Sequence, residues 1–451
     1  MKQSSSPRAT AVEVLCLWAT THNSIDLLFQ AALSKVTDID RALLKSLVYG
    51  VLRQKEYLDH IIRRFAKHPL RSMKPRTLMT LRIGVYQLLF CSRIPESAAV
   101  NATVNTLKEA GQPQWLIGFA NGILRAIARG RAHLPTPEQL ATGDPPILNH
   151  PAWLIERWQA QFGEETTRTI CQLNNAEPLL TLRVNTRRTS RSALINLFTK
   201  AGIGAAPGGY SPLSLIIPTY PGGVASLPGY VEGYFQVQDE APQLATMLTG
   251  SLPARARVLD ACAGVGGKTS HLAEMLPPDG QLIAVEPDTR RYSLLRENLQ
   301  RLGLSEHVRC VRNDLGSFAQ TNPQPFDCIL VDAPCSGTGV IRRQPDIRWN
   351  RKAEDLPQYQ QKQLHLLDTA ATLLKPGGKL IYATCSLEPE ENSEVINRFC
   401  TMHPGFAIQP AAQLLPERAK KLIDSQDCFR TTPADGLDGF FAACLQHAHS
   451  L

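Results

Sequence analysis

No stretch of the chain approaches the roughly 20 apolar residues that a membrane span requires, and the opening MKQSSSPRATAVEVLCLWAT breaks its apolar run at Glu13, too early for a secretory core. There is no CxxC pair. The 11 cysteines are odd in number and scattered, with neither the even count of a disulfide frame nor the spacing of a zinc site. Several of them, such as Cys171, Cys262 and Cys328, sit in apolar runs where a buried free thiol is expected. A reducing cytoplasm, no metal and no membrane partner are therefore the expectations. No internal repeat is visible.

What is present divides into regions. At 451 residues and 43% hydrophobic content, the chain can bury more than one core. Its net charge of +8 is uneven: residues 1–130 hold 18 Lys and Arg against 8 Asp and Glu, and the remainder is slightly acidic. A positive field confined to one end suits a polyanion-binding module, nucleic acid before membrane, although a basic helical domain can also simply be soluble. From Pro7 to Gly130 apolar residues recur at helical spacing, as in ALLKSLVYGVLRQKEYLDHII, and predict an all-α bundle of six or seven helices. Residues 131–150, rich in Pro and polar side chains, read as a linker. Residues 151–238 mix helical segments (WLIERWQAQF, TRTICQLNN) with short strands (LLTLRVNT, GYSPLSLIIP) and read as an α+β subdomain. Residues 239–451 alternate strand and helix. The strands ARVLDACAG, QLIAVEP, VRCVRND, FDCILVDAP and GKLIYATCS are continuous apolar runs, which implies a parallel, Rossmann-like α/β sheet covered on both faces, with GFFAACLQ as the last strand.

An open α/β sheet binds ligands beyond the carboxyl ends of its strands, and four strands here end in acids. The first runs into DACAGVGGKT, where Asp260 closes the strand and Gly264, Gly266 and Gly267 let the backbone pass close to a ligand. Glu286 ends the second, about twenty residues after the turn, where a carboxylate accepts both ribose hydroxyls of a nucleoside. Asp314 ends the third, placed to accept from the exocyclic amine of adenine, and Asp332 ends the fourth. The turn is neither a Walker A loop, which needs glycine where Cys262 stands, nor a GxGxxG fingerprint. A nucleoside cofactor without a pyrophosphate remains. S-adenosyl-L-methionine, with its cationic sulfonium and amino groups, suits a cleft lined by acids; a tight strand-to-helix connection is the alternative reading of any single glycine turn.

Two strand ends also carry a thiol, Cys335 in ILVDAPCSGTG and Cys385 in YATCS. One such cysteine reads as a small buried hydrophobe; two on neighbouring strands beside the cofactor edge read as active-site thiols. Thiols beside a methyl donor suit methylation of carbon 5 of a pyrimidine. A thiolate adding to carbon 6 makes an enamine whose carbon 5 can attack the methyl, and loss of the carbon 5 proton then expels the thiol. Cys385 precedes an expected helix start with Pro389 early in it, which favours its thiolate, while Glu388, Glu390 and Glu391 oppose that. Asp332 near the ring's endocyclic nitrogen would favour protonation there. Downstream, IRRQPDIRWNRK places Arg342, Arg343, Arg348 and Trp349 where a flipped base and its phosphates could be held, or else forms a solvated basic loop.

DACAGVGGKT, DAPCSGTGV and YATCSLEPEEN together resemble motifs of the RNA cytosine-5 methyltransferase family, whose cofactor motif is usually DxCAAPGGKT. LNHPAWLIERW and GYFQVQDEAPQLA are similar to segments that precede its catalytic domain, and residues 7–130 resemble a NusB-type RNA-binding domain. That combination is similar to the RsmB/Sun/Fmu group, which acts on 16S ribosomal RNA of the small subunit. The resemblance implies that Cys385 is the nucleophile and that Cys335 assists product release. It implies contact of S-adenosyl-L-methionine with Cys262, Ala263, Gly264, Val265, Gly266, Gly267, Lys268, Glu286, Asp314 and Asp332. A monomer acting on ribosomal RNA is expected. One departure is Val265 where proline is usual, so the turn loses a fixed φ and looser cofactor binding is expected.

Overall fold

The computed structural model describes residues 5–220 and 222–448. The chain forms two compact units: one runs to Glu177 and takes in Ile341–Arg351, the other comprises Pro178–Val340 and the chain from Lys352 onward.

Helical periodicity in the first unit is realised as α1 (Pro7–Thr21), α2 (Ile25–Ala32), α3 (Arg41–Arg53), α4 (Lys55–Phe65), α5 (Pro75–Phe90), α6 (Glu96–Glu109) and α7 (Gln114–Gly130). Proline opens α1 and α5, where a missing N–H leaves no helical bond unmade. Most of α5 is buried, and Gly84 lets Leu124 of α7 approach to 2.6 Å of where a Cβ would stand. Its Arg82 is paired inside the bundle with both carboxylate oxygens of Asp59 on α4, at 2.7 and 2.8 Å.

Residues 131–150, read as a linker, carry structure of their own. They hold α8 (Pro137–Ala141), opened by a capping box of Thr136 and Gln139, and they bury Leu148, Asn149 and His150. Asn149 Oδ1 accepts from the Tyr57 N–H and its Nδ2 donates to Gln54 Oε1, so this stretch is tied to α4 and its approach. Helices α9 (Ala152–Phe162) and α10 (Glu164–Asn175), expected in the α+β subdomain, belong to this same unit.

The second unit carries two sheets. The smaller is antiparallel in the order β2-β3-β1-β4, built from β1 (Leu180–Val184), β2 (Ala206–Pro207), β3 (Ser214–Ile217) and β4 (Phe235–Val237). Helix α11 (Arg191–Lys200) adds Leu194 and Phe198 to the core formed by Leu182, Val184, Leu215 and Phe235. After α12 (Glu240–Met247) the chain builds the larger sheet through β5 (Arg257–Asp260), α13 (Gly267–Met275), β6 (Gln281–Val285), α14 (Thr289–Leu302), β7 (Val308–Val311), α15 (Leu315–Ala319) and β8 (Phe326–Asp332). It then leaves this unit: Ile341–Arg351, with the one-turn helix α16 (Ile347–Asn350), packs in the helical unit. It returns as α17 (Leu356–Thr372), β9 (Leu374–Thr384), α18 (Ser393–Met402), β10 (Phe406–Gln409), β11 (Phe429–Thr431) and β12 (Phe440–His447).

The order is β10-β12-β9-β8-β5-β6-β7, with β11 paired to β12; β5 to β9 are parallel and the rest antiparallel. Alternate strand residues feed a core on each face. Val258, Leu330 and Ile381 meet Leu244, Leu272 and Leu295 on one side; Leu259, Ile329 and Val331 meet Phe318, Leu367 and Phe399 on the other. The six strands read from the sequence are present, and β10 and β11 are additions. From β5 the chain winds outward to β7, and from β8 it winds the other way, so the order reverses between β5 and β8. That crevice is where an open sheet takes a ligand.

Candidate active site

Asp260 ends β5 on one side of the crevice, and the turn that follows is held from several directions. Gly264 and Gly266 take φ of +55° and +90°, and a Cβ on Gly266 would stand 2.7 Å from Leu295 Cδ1. The Ala263 N–H donates to Val285 O at 3.0 Å and the Gly264 N–H to Glu286 Oε2 at 2.9 Å. Val265, which lacks the ring constraint of proline, has its carbonyl fixed by Asn298 Nδ2 at 2.9 Å. From below, Arg183 of β1 donates to Gly267 O (2.7 Å) and Ser270 Oγ (2.9 Å) and pairs with Glu274 at 2.7 Å, all within α13. Arg183 was not singled out in the sequence; the signal was a charge inside the apolar strand LTLRV.

The acids take distinct places. Glu286 is buried, and its second oxygen accepts from the Asp288 N–H at 2.8 Å, so each oxygen keeps lone-pair capacity. Asp314 is exposed and caps α15; the Ser317 N–H and hydroxyl, each 2.8 Å away, hold its carboxyl below the ordinary range. Asp332 at the end of β8 pairs with Lys268 at 2.7 Å, and the Lys268 ammonium lies 4.8 Å from the Phe440 ring centre.

A cationic nucleoside such as S-adenosyl-L-methionine fits this set. Asp260 is fully buried, with Oδ2 accepting from Thr269 Oγ1 at 2.7 Å and Oδ1 unpartnered; burial pushes its carboxyl up to about 6. Burial raises the Cys262 thiol too, and the charges of Asp260, Asp332 and Glu286 add to it, so three acids converge on one point of the turn. At Gly264 an added Cβ would meet nothing within 4 Å, leaving the backbone open to a ligand.

The two thiols meet across neighbouring strands. β8 and β9 pair with Asp332 opposite Ala383, the Ala333 N–H continues the ladder to Ala383 O at 2.9 Å, and the Gly339 N–H reaches Cys385 O at 3.0 Å. Cys335 Sγ and Cys385 Sγ are then 3.3 Å apart, both half-buried and both free thiols. The hydrogen bond to Cys385, followed by burial, holds the Cys335 thiol well above its ordinary value. One expectation is corrected. Pro389 opens a single 3₁₀ turn, Pro389–Glu391, and α18 begins only at Ser393 because Asn392 (φ −116°, ψ −104°) breaks the path. Cys385 is therefore not at a helix N-terminus.

A second correction concerns the basic segment after Cys335. Arg348 is fully buried and donates to Asn149 O (2.9 Å), Asn174 O (2.8 Å) and Asn175 Oδ1 (2.5 Å). Trp349 donates its indole N–H to Leu52 O at 2.9 Å and packs against the helical core. Arg342 is buried as well, with its carbonyl accepting from Arg53, whereas Arg343 and Trp349 are half-exposed. Arg342, Arg348 and Trp349 serve the packing of the helical unit, so they do not form the exposed base and phosphate clamp expected of them. An open cavity of about 1000 Å³ beside Tyr292, Arg296 and Cys310 holds none of the expected residues. Among the described residues no helix is long and apolar enough to cross a membrane.

Three family models match the chain: 16S rRNA methyltransferase RsmB/F over residues 249–446, the NusB family over 5–129, and an RsmF/B-like ferredoxin-like domain over 150–221. The ribosomal RNA small subunit methyltransferase B of Pseudomonas putida is 37% identical over 448 residues, covering 98% of each chain. Among solved structures, that of PH0851 is 25% identical with a TM-score of 0.78, covering 99% of this chain and 100% of that one. A methyltransferase homolog protein from Pyrococcus horikoshii is 27% identical with a TM-score of 0.57, covering 69% and 100%. With a helical unit, a small antiparallel sheet and a methyltransferase sheet in that order, and this likeness over nearly its full length, the chain belongs to the ribosomal RNA small subunit methyltransferase B family.

Proposed function

We propose that the chain transfers a methyl group from S-adenosyl-L-methionine to carbon 5 of a cytosine in 16S ribosomal RNA, with Cys385 as nucleophile and Cys335 as the thiol that permits product release. The observation that carries this reading is the 3.3 Å separation of the two sulfurs at the ends of adjacent parallel strands. Methylation of an amine needs no thiol, whereas carbon 5 of a pyrimidine needs one thiol to become nucleophilic and a second group to finish. Membership of a family named for the small ribosomal subunit supports the choice of RNA.

The Gly264–Gly267 turn, Asp260, Glu286 and Asp314 hold S-adenosyl-L-methionine, which supplies an electrophilic methyl group when bound. Cys385, as thiolate, forms a bond to carbon 6 and pushes the electron pair of the 5,6 double bond toward carbon 5. Asp332, three residues before Cys335 and held by Lys268, serves the endocyclic nitrogen as it gains charge. Until that addition Cys335 keeps its proton, because its hydrogen bond with Cys385 and burial disfavour its thiolate. Once the Cys385 sulfur is bonded to carbon it no longer holds that charge, and Cys335 can lose its proton to solvent. The pair at carbon 5 would take the methyl group that the bound donor supplies, leaving the donor's sulfur a neutral thioether, and Cys335 then takes the proton from carbon 5. The pair from that C–H bond restores the double bond, and the C–S bond breaks with its electrons returning to Cys385.

The test is the fate of the covalent adduct on denaturing gels. Cys335→Ala should accumulate protein linked to RNA, and Cys385→Ala should form no adduct and incorporate no methyl group. A Cys335 variant that turns over at the wild-type rate contradicts the assignment, and bisulfite mapping of small-subunit RNA checks carbon 5.

A further inference from the structure

Beneath the two thiols lies a buried carboxylate that the steps above do not use. Glu391 is fully buried in the turn Pro389–Glu391. Its Oε1 accepts from the Ser336 N–H at 2.8 Å and from Gln363 Nε2 at 3.1 Å; its Oε2 accepts from the hydroxyls of Ser336 and Ser386, both at 2.5 Å. Among the described residues no Lys or Arg nitrogen pairs with it, so four hydrogen-bond donors compensate its burial.

Those donors are not scattered. Ser336 directly follows Cys335, and Ser386 directly follows Cys385. Gln363 of α17 also donates to Pro334 O at 3.1 Å, so the residues on both sides of Cys335 are held by one pair of side chains. The far side of Ser386 is fixed as well, since its carbonyl accepts from Asn392 Nδ2 at 2.9 Å. A buried carboxylate without a cation is expensive to keep and is retained where its acceptors are needed. Only an ionised carboxylate presents two acceptor-only oxygens able to satisfy two hydroxyls, an amide and a backbone N–H together. Glutamine in its place has one such oxygen and turns an N–H₂ group toward a serine.

We propose that Glu391 is a positioning residue, which ties the loops after β8 and β9 together through Ser336 and Ser386 and thereby sets the spacing at which one thiol attacks and the other completes the reaction. The inference rests on the two-thiol reading above for its catalytic consequence, but not for its geometric one. Displacing a reacting group by about 1 Å costs on the order of a hundredfold in rate. Thr338 also bridges the two loops, bonding Ser386 Oγ at 3.3 Å and accepting from the Leu387 N–H at 3.0 Å, whereas Glu391 accepts from the serine that follows each thiol.

The experiment reads geometry and chemistry separately. Oxidised glutathione converts the two thiols to a disulfide while being reduced to two molecules of glutathione, and the rate of that exchange reports sulfur proximity without any RNA. In Glu391→Gln, this rate and the methylation kcat should each fall roughly tenfold or more, while affinity for S-adenosyl-L-methionine and KM for RNA stay at wild-type values. The double variant Ser336→Ala with Ser386→Ala keeps the carboxylate and two of its donors, and it should show the same split; it decides the matter if Glu391→Gln does not fold. Wild-type disulfide formation in a folded variant of either kind overturns the clamp, whatever happens to turnover. A slowed disulfide together with full methylation by Cys385→Ala would uphold the clamp and sink the two-thiol reading instead.

Discussion

At the scale of single residues, the turn shows how one lost constraint is replaced by another. Val265 stands where a proline would fix φ, which led to the expectation of looser cofactor binding; Asn298, 33 residues on in α14, anchors the Val265 carbonyl. Asn298→Ala should therefore weaken binding of S-adenosyl-L-methionine by about fivefold, the loss of one hydrogen bond of ~1 kcal/mol, as read by titration calorimetry, with little change in thermal stability. The residues of the site that were legible in the sequence share one property: each lies at the end of a strand that announces itself. Asp260, Glu286, Asp332, Cys335 and Cys385 needed only the strand pattern and a rule about strand ends. Asn298 reaches Val265 across 33 positions, Glu391 reaches Ser336 across 55 and Arg183 reaches Glu274 across 91, and no local pattern connects these pairs.

At the scale of elements, the continuous apolar strands of a parallel sheet were readable because burial on both faces leaves few other choices. The short elements were misread for identifiable reasons. Proline suits the first position of a 3₁₀ turn as well as that of a helix, which put the start of α18 too early. The Pro-rich composition of 131–150 suggested a linker, yet Thr136 and Gln139 have the spacing of a capping box and mark α8. How the small sheet supports the site was not readable. Its β1 sends Arg183 into the start of α13, where the guanidinium is fully buried and Glu274 nearly so. Removing one partner of such a pair leaves the other buried and unpaired, so Arg183→Ala should cost roughly 3–5 kcal/mol of stability. Thermal unfolding should show this as a lowered midpoint even without cofactor, whereas a surface arginine such as Arg168, paired with Glu164, should tolerate alanine with almost no change.

At the scale of the whole molecule, the basic helical region read from charge coincides with the NusB match over residues 5–129, while the compact units group the chain differently. The basic N-terminal region and the methyltransferase sheet are separate units, yet the helical one owns residues 341–351, which begin six positions after Cys335. Nothing in IRRQPDIRWNRK reveals this, because its partners Leu52, Asn149 and Asn174 lie 174 to 297 positions away in the chain. The Arg348 guanidinium, lowered by burial to about 9, still carries its charge at neutral pH, and it satisfies three oxygens that have been taken out of water. Asp346 accepts from the Ile25 N–H at 3.0 Å and so fixes the start of α2 from the same segment. A cut at residue 178 therefore does not separate two finished domains: it strips an arginine, a tryptophan and an aspartate of their packing on one side and leaves unfilled acceptors on the other. A chain beginning at Pro178 should be cleaved within 341–351 under limited trypsin digestion, at Arg342, Arg343, Arg348 or Arg351, while the full-length protein resists at those bonds. Equal resistance in both would mean that the segment holds its shape without the helices.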